Sequence, residues 1–194
     1  MAQDLKPFYF GYTSKHGECQ GAMIYKLCMA SYLFSTPTKP IMFASRGGFL
    51  TWSRTRLFRD IRNHTSDPVP RALVFDADID LVSSLEHLVE CIEFADKYHY
   101  NFVAPYSDAD RNILCFMDGR RIPKAEFKEK YHDWDRIQFA GLGFYYGDIP
   151  NYKFHMEYDS GEDHNFFTEN PGLDLRVVPS IKLRHIKEII IDEE

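Results

Sequence analysis

The most constraining feature of the chain is a short apolar run that ends in three carboxylates at alternate positions. Residues 72–80 read Ala-Leu-Val-Phe-Asp-Ala-Asp-Ile-Asp, and Pro70 stands just before them. Four consecutive apolar residues are typical of a strand buried inside a parallel sheet. Ligands of such sheets bind beyond the carboxyl ends of the strands, so we expect Asp76 and Asp78 to lie in a binding crevice.

Carboxylates in that position predict a site for a hard divalent cation. Mg²⁺ and Mn²⁺ prefer oxygen ligands, usually keep several waters and take further ligands from substrate phosphates. The sequence therefore indicates a phosphate-bearing substrate such as a nucleotide. The same acids could instead belong to a solvated loop or a helix start.

The chain alternates predicted strands with predicted helices, as an α/β layer fold requires. The predicted strands are residues 7–12, 41–44, 72–75 and 101–105, and the predicted helices are 18–34, 50–62 and a third that opens with Ser83-Ser84-Leu85-Glu86, a sequence like a capping box. We therefore expect one α/β domain over residues 1–194, with a mostly parallel central sheet flanked by helices.

Composition narrows the class of protein. The 194 residues are 44% hydrophobic, enough to bury a core without disulfides. Lys and Arg total 23 against 29 for Asp and Glu, and the net charge of −6 argues against broad affinity for nucleic acid. The apolar stretches are too short for a membrane span and no signal peptide is evident, so we expect a cytoplasmic protein.

Two families that place acids after an apolar strand fit poorly. A calcium-binding helix-loop-helix would need Gly in place of Leu81 and a bidentate Glu in place of His87. A haloacid-dehalogenase-type phosphatase would have Thr or Val in place of Asp80, and would carry its acids near the N-terminus. Here two predicted strand-helix units come first.

The chain resembles the nucleotide-sugar glycosyltransferases of the GT-A fold, whose Asp-x-Asp motif follows two or three strand-helix units. Asp76-Ala77-Asp78 matches that motif in type and place. Glu162-Asp163 resembles the Glu-Asp pair of inverting members, in which the Asp is the general base. His185, at the end of an apolar stretch, is similar to the late His that completes the metal shell in many relatives.

Further positions extend the resemblance to nearly the whole chain. The segment 139–146, with Gly141, is similar to the family's Gly-rich segment, where the backbone approaches the sugar closely. Tyr12 and Thr13 end the first predicted strand, where the family binds the nucleotide base. Arg54 precedes the acids by about one helix, where relatives often have an Arg near the diphosphate.

The resemblance implies transfer of a sugar from a nucleotide-diphosphate sugar to an acceptor hydroxyl on a glycan, protein or lipid, with inversion and with Mn²⁺ or Mg²⁺. Asp78 would be a direct metal ligand, Asp76 would act partly through ribose or metal-bound water, and His185 would complete the shell. Residues 1–106 would bind the nucleotide and residues 107–194 the acceptor. The compact size is similar to that of virus-encoded members, for which the cytoplasm would be the host's.

Other interpretations stay open on the sequence alone. Asp163 could simply favour a helix dipole, His185 could be a surface residue, and Arg54 could lie on a solvated helix face. A sugar-phosphate nucleotidyltransferase would share the fold and metal, but would favour a Gly-rich basic loop where this chain offers only Lys15 and Gly17. A non-catalytic nucleotide- or glycan-binding module would bind the donor without turnover.

The chain departs from the family after the second predicted strand. Many relatives place a nucleotide-binding acid there, whereas this chain has Ser45-Arg46-Gly47-Gly48. Residues 107–136 also lack a family pattern. Neither the base nor the acceptor can therefore be identified from the sequence.

Overall fold

The protein is an α/β structure, described here from a computed structural model. It describes residues 5–14, 21–46, 50–64, 71–104, 115–117, 120–121, 136–137, 142–146 and 174–186. The strands are β1 (Lys6–Ser14), β2 (Thr38–Arg46), β3 (Arg71–Asp76), β4 (Ile79–Leu81), β5 (Asn101–Ala104), β6 (Cys115–Met117), β7 (Arg120–Arg121), β8 (Arg136–Ile137), β9 (Leu142–Tyr146), β10 (Leu175–Val177) and β11 (Leu183–His185). The helices are α1 (Gly21–Ala30), α2 (Leu50–His64) and α3 (Leu85–Tyr98).

The central sheet has six strands in the order β10-β5-β9-β3-β1-β2. Strands β2 and β3 run parallel to β1, and β10 runs parallel to β5. Strand β9 lies antiparallel between β3 and β5, so five of the six strands share one direction. The mostly parallel sheet predicted from the sequence is confirmed. A second sheet pairs β11 with β4, and a third contains β6, β7 and β8.

The helices cover both faces of the sheet. Successive residues of a strand point to opposite faces. On one face, Phe8 and Phe10 of β1 pack in the main core with α1 and α3, whereas on the other face Gly11 faces Leu57 of α2. The main core consists of Phe8, Phe10, Met23, Leu27, Leu73, Phe75, Ile79, Leu81, Leu88, Ile92, Ala95, Tyr100, Phe102, Ala104, Leu142, Phe144, Ile181 and Leu183.

Helix α3 follows the predicted apolar stripe, with a small change at its start. Leu88, Val89, Ile92 and Ala95 are buried along one side, as their spacing predicts. The N-cap is Ser84, whose hydroxyl accepts from the backbone N–H of His87 at 3.2 Å. Because the cap is one residue later than a box on Ser83 would have it, Glu86 falls in the first turn instead of closing the box.

Two element boundaries differ from the sequence prediction for local reasons. Helix α1 ends at Ala30, and the next residue, Ser31, donates from its hydroxyl to the carbonyl of Cys28 at 2.6 Å. Such a side-chain bond competes with helix continuation. Strand β2 begins before Pro40, which is compatible with its place at the edge of the sheet, where one side of the backbone needs no ladder donor.

Candidate functional site

The strand order reverses beside β1. The chain forms β2 on one side of β1 and then crosses to form β3 on the other side. In α/β sheets, ligands bind outside the carboxyl ends of the strands at such a reversal. Thr13 is in register there with Asp76 of β3 and with Ser45 of β2. The candidate site is therefore a row of polar residues across three adjacent strands.

Two residues that were predicted from the sequence to lie in the site, Thr13 and Arg54, bind the carboxylate of Asp76. The hydroxyl of Thr13 donates to Oδ1 of Asp76 at 3.1 Å. From α2, Nη2 of Arg54 donates to Oδ1 and Oδ2 of the same carboxylate at 3.1 and 3.3 Å. The Arg54 side chain is only 4% exposed. Its charge therefore offsets that of Asp76 inside the protein, and the sequence-based expectation that it contacts a diphosphate stays a prediction.

Asp78 lies in the exposed turn between β3 and β4. The turn is fixed on one side, where the backbone N–H of Ala77 donates to the carbonyl of Thr13 at 3.0 Å. It is fixed on the other side by Ile186, whose N–H donates to the carbonyl of Asp78 at 2.7 Å. His185 pairs with Ile79 in the β4–β11 ladder. The backbone of the predicted late His thus lies beside the Asp-x-Asp turn, while its side chain is outside the described part of the structure.

Asp80 is part of a partly exposed ion-pair cluster. It lies in β4 and not at a helix start, and its carboxylate accepts from Lys26 Nζ at 2.6 Å and from Arg184 Nη2 at 2.8 Å. Burial alone would raise the pKa of this carboxyl group, but the hydrogen bonds and charges of Lys26 and Arg184 outweigh it, so the pKa lies below its ordinary value. This third acid connects α1, β4 and β11.

The Gly-rich segment approaches the same site through β9. Gly143 lines a narrow recess with Arg54, Asp76 and Tyr145; its volume is about 10 Å³, room for one water molecule. A Cβ on Gly143 would lie 2.8 Å from the Tyr145 hydroxyl. Internal packing therefore explains this glycine without a sugar. Gly141, the predicted site residue, is outside the described residues.

Tyr12 and Asp163 complete the residues selected from the sequence. Tyr12 packs beside the main core, on the face opposite Thr13, and its ring centroid is 5.8 Å from that of Phe75. Asp163 lies outside the described residues. Of the predicted site, the structure thus brings together Thr13, Arg54, Asp76, the turn of Asp78 and the backbone of His185.

Two buried hydroxyls, one in this row and one on α2 beside it, were not predicted as site residues from the sequence. Ser45 of β2 and Ser53 of α2 are each 2% exposed, and neither hydroxyl has a hydrogen-bond partner in the structure as described. The signal available in the sequence was the segment Ser45-Arg46-Gly47-Gly48, which connects a predicted strand to a predicted helix. In the family resemblance, this segment marks only the place of a missing acid.

The described carboxylates fit a divalent cation that takes most of its ligands from a substrate. Within the described ranges, no group of three or more His, Cys, Asp or Glu side chains is placed to hold a metal ion. Asp76 and Asp80 have cationic partners. Asp78 lies in an exposed turn, where its side chain faces solvent. A single exposed carboxylate with a second one nearby suits Mg²⁺ or Mn²⁺, which keep waters and bind substrate phosphates.

Comparison with known proteins adds no assignment. The chain matches no protein-family model, and no curated protein matches it.

In the described part of the chain, no helix has the length and apolar character needed to cross a membrane.

Proposed function

We propose that the protein is a metal-dependent glycosyltransferase of GT-A type. It transfers a sugar from a nucleotide-diphosphate sugar to an acceptor hydroxyl, with inversion at the anomeric carbon. The donor binds in the crevice at the carboxyl ends of β1, β2 and β3. The acceptor is a glycan, protein or lipid.

The observation that carries this proposal is the pairing of β11 with β4. That pairing brings the backbone of His185 beside the turn of Asp78, although the two residues are far apart in the sequence. Resemblance to the family predicts this meeting of an Asp-x-Asp turn with a late His. If the acids only lay in a solvated loop after β3, the pairing of β11 beside them would have no explanation.

The different environments of Asp76 and Asp78 support different roles for these two acids. Asp76, with Arg54 and Thr13 on its carboxylate, is suited to hold a fixed position and to accept from ribose hydroxyls or water. Asp78, exposed in its turn, would be the protein's direct metal ligand, with His185 as a second. When bound, the cation would act as a Lewis acid that offsets negative charge on the departing diphosphate.

The proposal assigns the acceptor side to Asp163. Its carboxylate would take the proton from the acceptor hydroxyl as that oxygen attacks the anomeric carbon. General-base catalysis is typically worth about 10²- to 10⁴-fold in rate. The assignment rests on the resemblance of Glu162-Asp163 to the family motif.

Calorimetric titration with UDP, GDP and their sugar conjugates, with and without Mn²⁺, tests the donor site. We expect one nucleotide to bind in a Mn²⁺-dependent manner, and Asp78→Ala to abolish that dependence. Asp60→Asn, at a partly exposed acid on α2, is the matched control and should bind as the wild type does. Absence of binding to every nucleotide by folded protein would refute the proposal.

A further inference from the structure

We propose that the first turn of α2, together with the hydroxyls of Ser45 and Ser53, forms a binding subsite for a phosphate group. The subsite would hold the phosphate oxygens of a phosphate-bearing ligand, at the β2 side of the crevice and away from the Asp78 turn. It is distinct from the place where the proposed cation would meet the diphosphate of the donor, and this inference does not depend on the proposed function.

The first turn of α2 lies at the carboxyl edge of the sheet. Leu57 packs against Gly11 in the middle of β1, and Arg54, one turn earlier, reaches Asp76 at the end of β3. The helix therefore approaches the carboxyl ends of the strands as it is followed back to Leu50. The first N–H groups of a helix have no partner within it and carry the positive end of the helix dipole. That end attracts phosphate groups.

The two serine hydroxyls give independent evidence for a ligand. Ser45 shares its row with Thr13 and Asp76, so its side chain is on the face that α2 covers. Ser53 lies in the first turn of α2. Both hydroxyls are buried and without a partner among the described residues. A buried donor left unsatisfied costs about 1 to 3 kcal/mol, and a bound ion is one of the few explanations for such a group in a native protein.

The local charges favour an anion. Arg46 is exposed at the end of β2, and the first turn of α2 contains no acidic residue. The nearest acid in the row, Asp76, is offset by Arg54. A phosphate oxygen can accept from a serine hydroxyl and from a backbone N–H at the same time, whereas a cation could use the hydroxyl oxygen but would be repelled by the N–H groups of the helix start. An oxyanion therefore matches this set of groups.

The subsite is separate from the proposed metal site. Strand β1 separates β2 from β3, so Ser45 and Asp76 are about 10 Å apart, two strand spacings. A diphosphate bound through a cation at the Asp78 turn would not also reach Ser45. The subsite would also explain why β2 ends in Ser45 and Arg46 and has no acid there.

Titration with inorganic pyrophosphate and with inorganic phosphate, both in the absence of divalent metal, tests the subsite. We expect pyrophosphate to bind the wild type, and Ser45→Ala with Ser53→Ala to weaken that binding at least tenfold. Ser35→Ala is the control and should leave binding unchanged. Ser35 is exposed and lies just before β2, at the amino ends of the strands.

Thermal unfolding without any anion separates a binding role from a structural one. Each serine variant should unfold at the wild-type temperature or above it, because alanine removes an unsatisfied donor. Pyrophosphate should then stabilise the wild type and not the double variant. A double variant that is destabilised without anion, or that binds pyrophosphate as tightly as the wild type, would overturn the inference, as would a wild type that binds none.

The outcome for this subsite can be told apart from that for the proposed function. Metal-free pyrophosphate binding that depends on both serines supports the subsite even if no nucleotide sugar binds. Mn²⁺-dependent binding of a nucleotide sugar supports the transferase, while pyrophosphate binding that is insensitive to both serines overturns the subsite. Tighter binding of pyrophosphate than of phosphate would indicate a diphosphate ligand, whereas equal binding would indicate a site for a single phosphate group.

Discussion

At the scale of single residues, the acids after β3 have three different environments. Asp76 is bound by Arg54 and Thr13, Asp80 by Lys26 and Arg184, and Asp78 is exposed. The alternating acids and their position after a strand could be read from the sequence. Their partners could not, because the three basic residues come from α1, α2 and β11 and meet the acids only through tertiary contacts.

Asp80→Asn should destabilise the protein at neutral pH by about 1 to 2 kcal/mol, because it removes the charged acceptor shared by Lys26 and Arg184. The pKa of Asp80 is lowered on folding from its ordinary value of 3.8, so its contribution is present above that pH. The contribution is lost as the pH falls through the lower pKa of the folded state. Urea unfolding of wild type and variant at pH 7 and at pH 3 measures this.

The control for Asp80 is Asp60→Asn on the surface of α2. Asp60 lies 3.9 Å from Arg56 and 3.8 Å from Arg59 and is itself partly exposed, so its loss should cost no more than about 0.5 kcal/mol. If the two variants lose equal stability at pH 7, or if the loss in Asp80→Asn grows in acid, the ion-pair cluster does not stabilise the fold.

Arg54→Met should raise the affinity of the nucleotide-free protein for Mn²⁺ by about tenfold, or 1.4 kcal/mol. The reason is that the Arg54 guanidinium occupies both oxygens of Asp76 and opposes a second cation beside them. Titration of Mn²⁺ followed by electron paramagnetic resonance measures the change. Arg56→Met, at an exposed arginine of the same helix, should bind Mn²⁺ as the wild type does. Unchanged or weaker Mn²⁺ binding by Arg54→Met would place the cation elsewhere.

At the scale of elements, the sequence predicted four of the five parallel strands of the central sheet, and it missed the parallel strand β10 and the antiparallel strand β9. Strands β1, β2, β3 and β5 have apolar runs bounded by Pro or charged residues, and these local patterns located them. Strand β9 lies between β3 and β5 but follows both in the chain. Its place depends on long-range pairing that no local pattern records, so the segment of Gly141 and Gly143 was interpreted from the family resemblance alone.

Gly143→Ala should cost about 1 to 3 kcal/mol of unfolding free energy, because the added Cβ would meet the buried ring of Tyr145. That ring packs edge-on against Phe58 of α2, with centroids 5.0 Å apart, so it has little room to move. Gly21→Ala is the control: nothing lies within 4 Å of the new Cβ at the start of α1, and the result should range from no change to about 1 kcal/mol of stabilisation. Equal effects of the two changes in denaturant unfolding would show that Tyr145 does not constrain Gly143.

At the scale of the whole molecule, the site is assembled from distant parts of the chain. The ends of β1, β2 and β3, the start of α2 and the β4–β11 pairing meet at the carboxyl edge of the sheet. The sequence indicated this edge because parallel strands bring their carboxyl ends together. It did not indicate β4 or its pairing with β11, since both strands have only three residues and the two are far apart in the chain.

The most direct test of the proposed transfer reaction is to measure release of nucleotide diphosphate from a panel of nucleotide sugars, with Mn²⁺ and a mixture of acceptors. We expect turnover with one donor, loss of both donor binding and turnover in Asp78→Ala, and loss of about 10²- to 10⁴-fold in turnover with donor binding kept in Asp163→Asn. Wild-type turnover in Asp163→Asn would contradict the assigned general base. Failure of the folded wild type to bind or cleave any donor would contradict the glycosyltransferase itself.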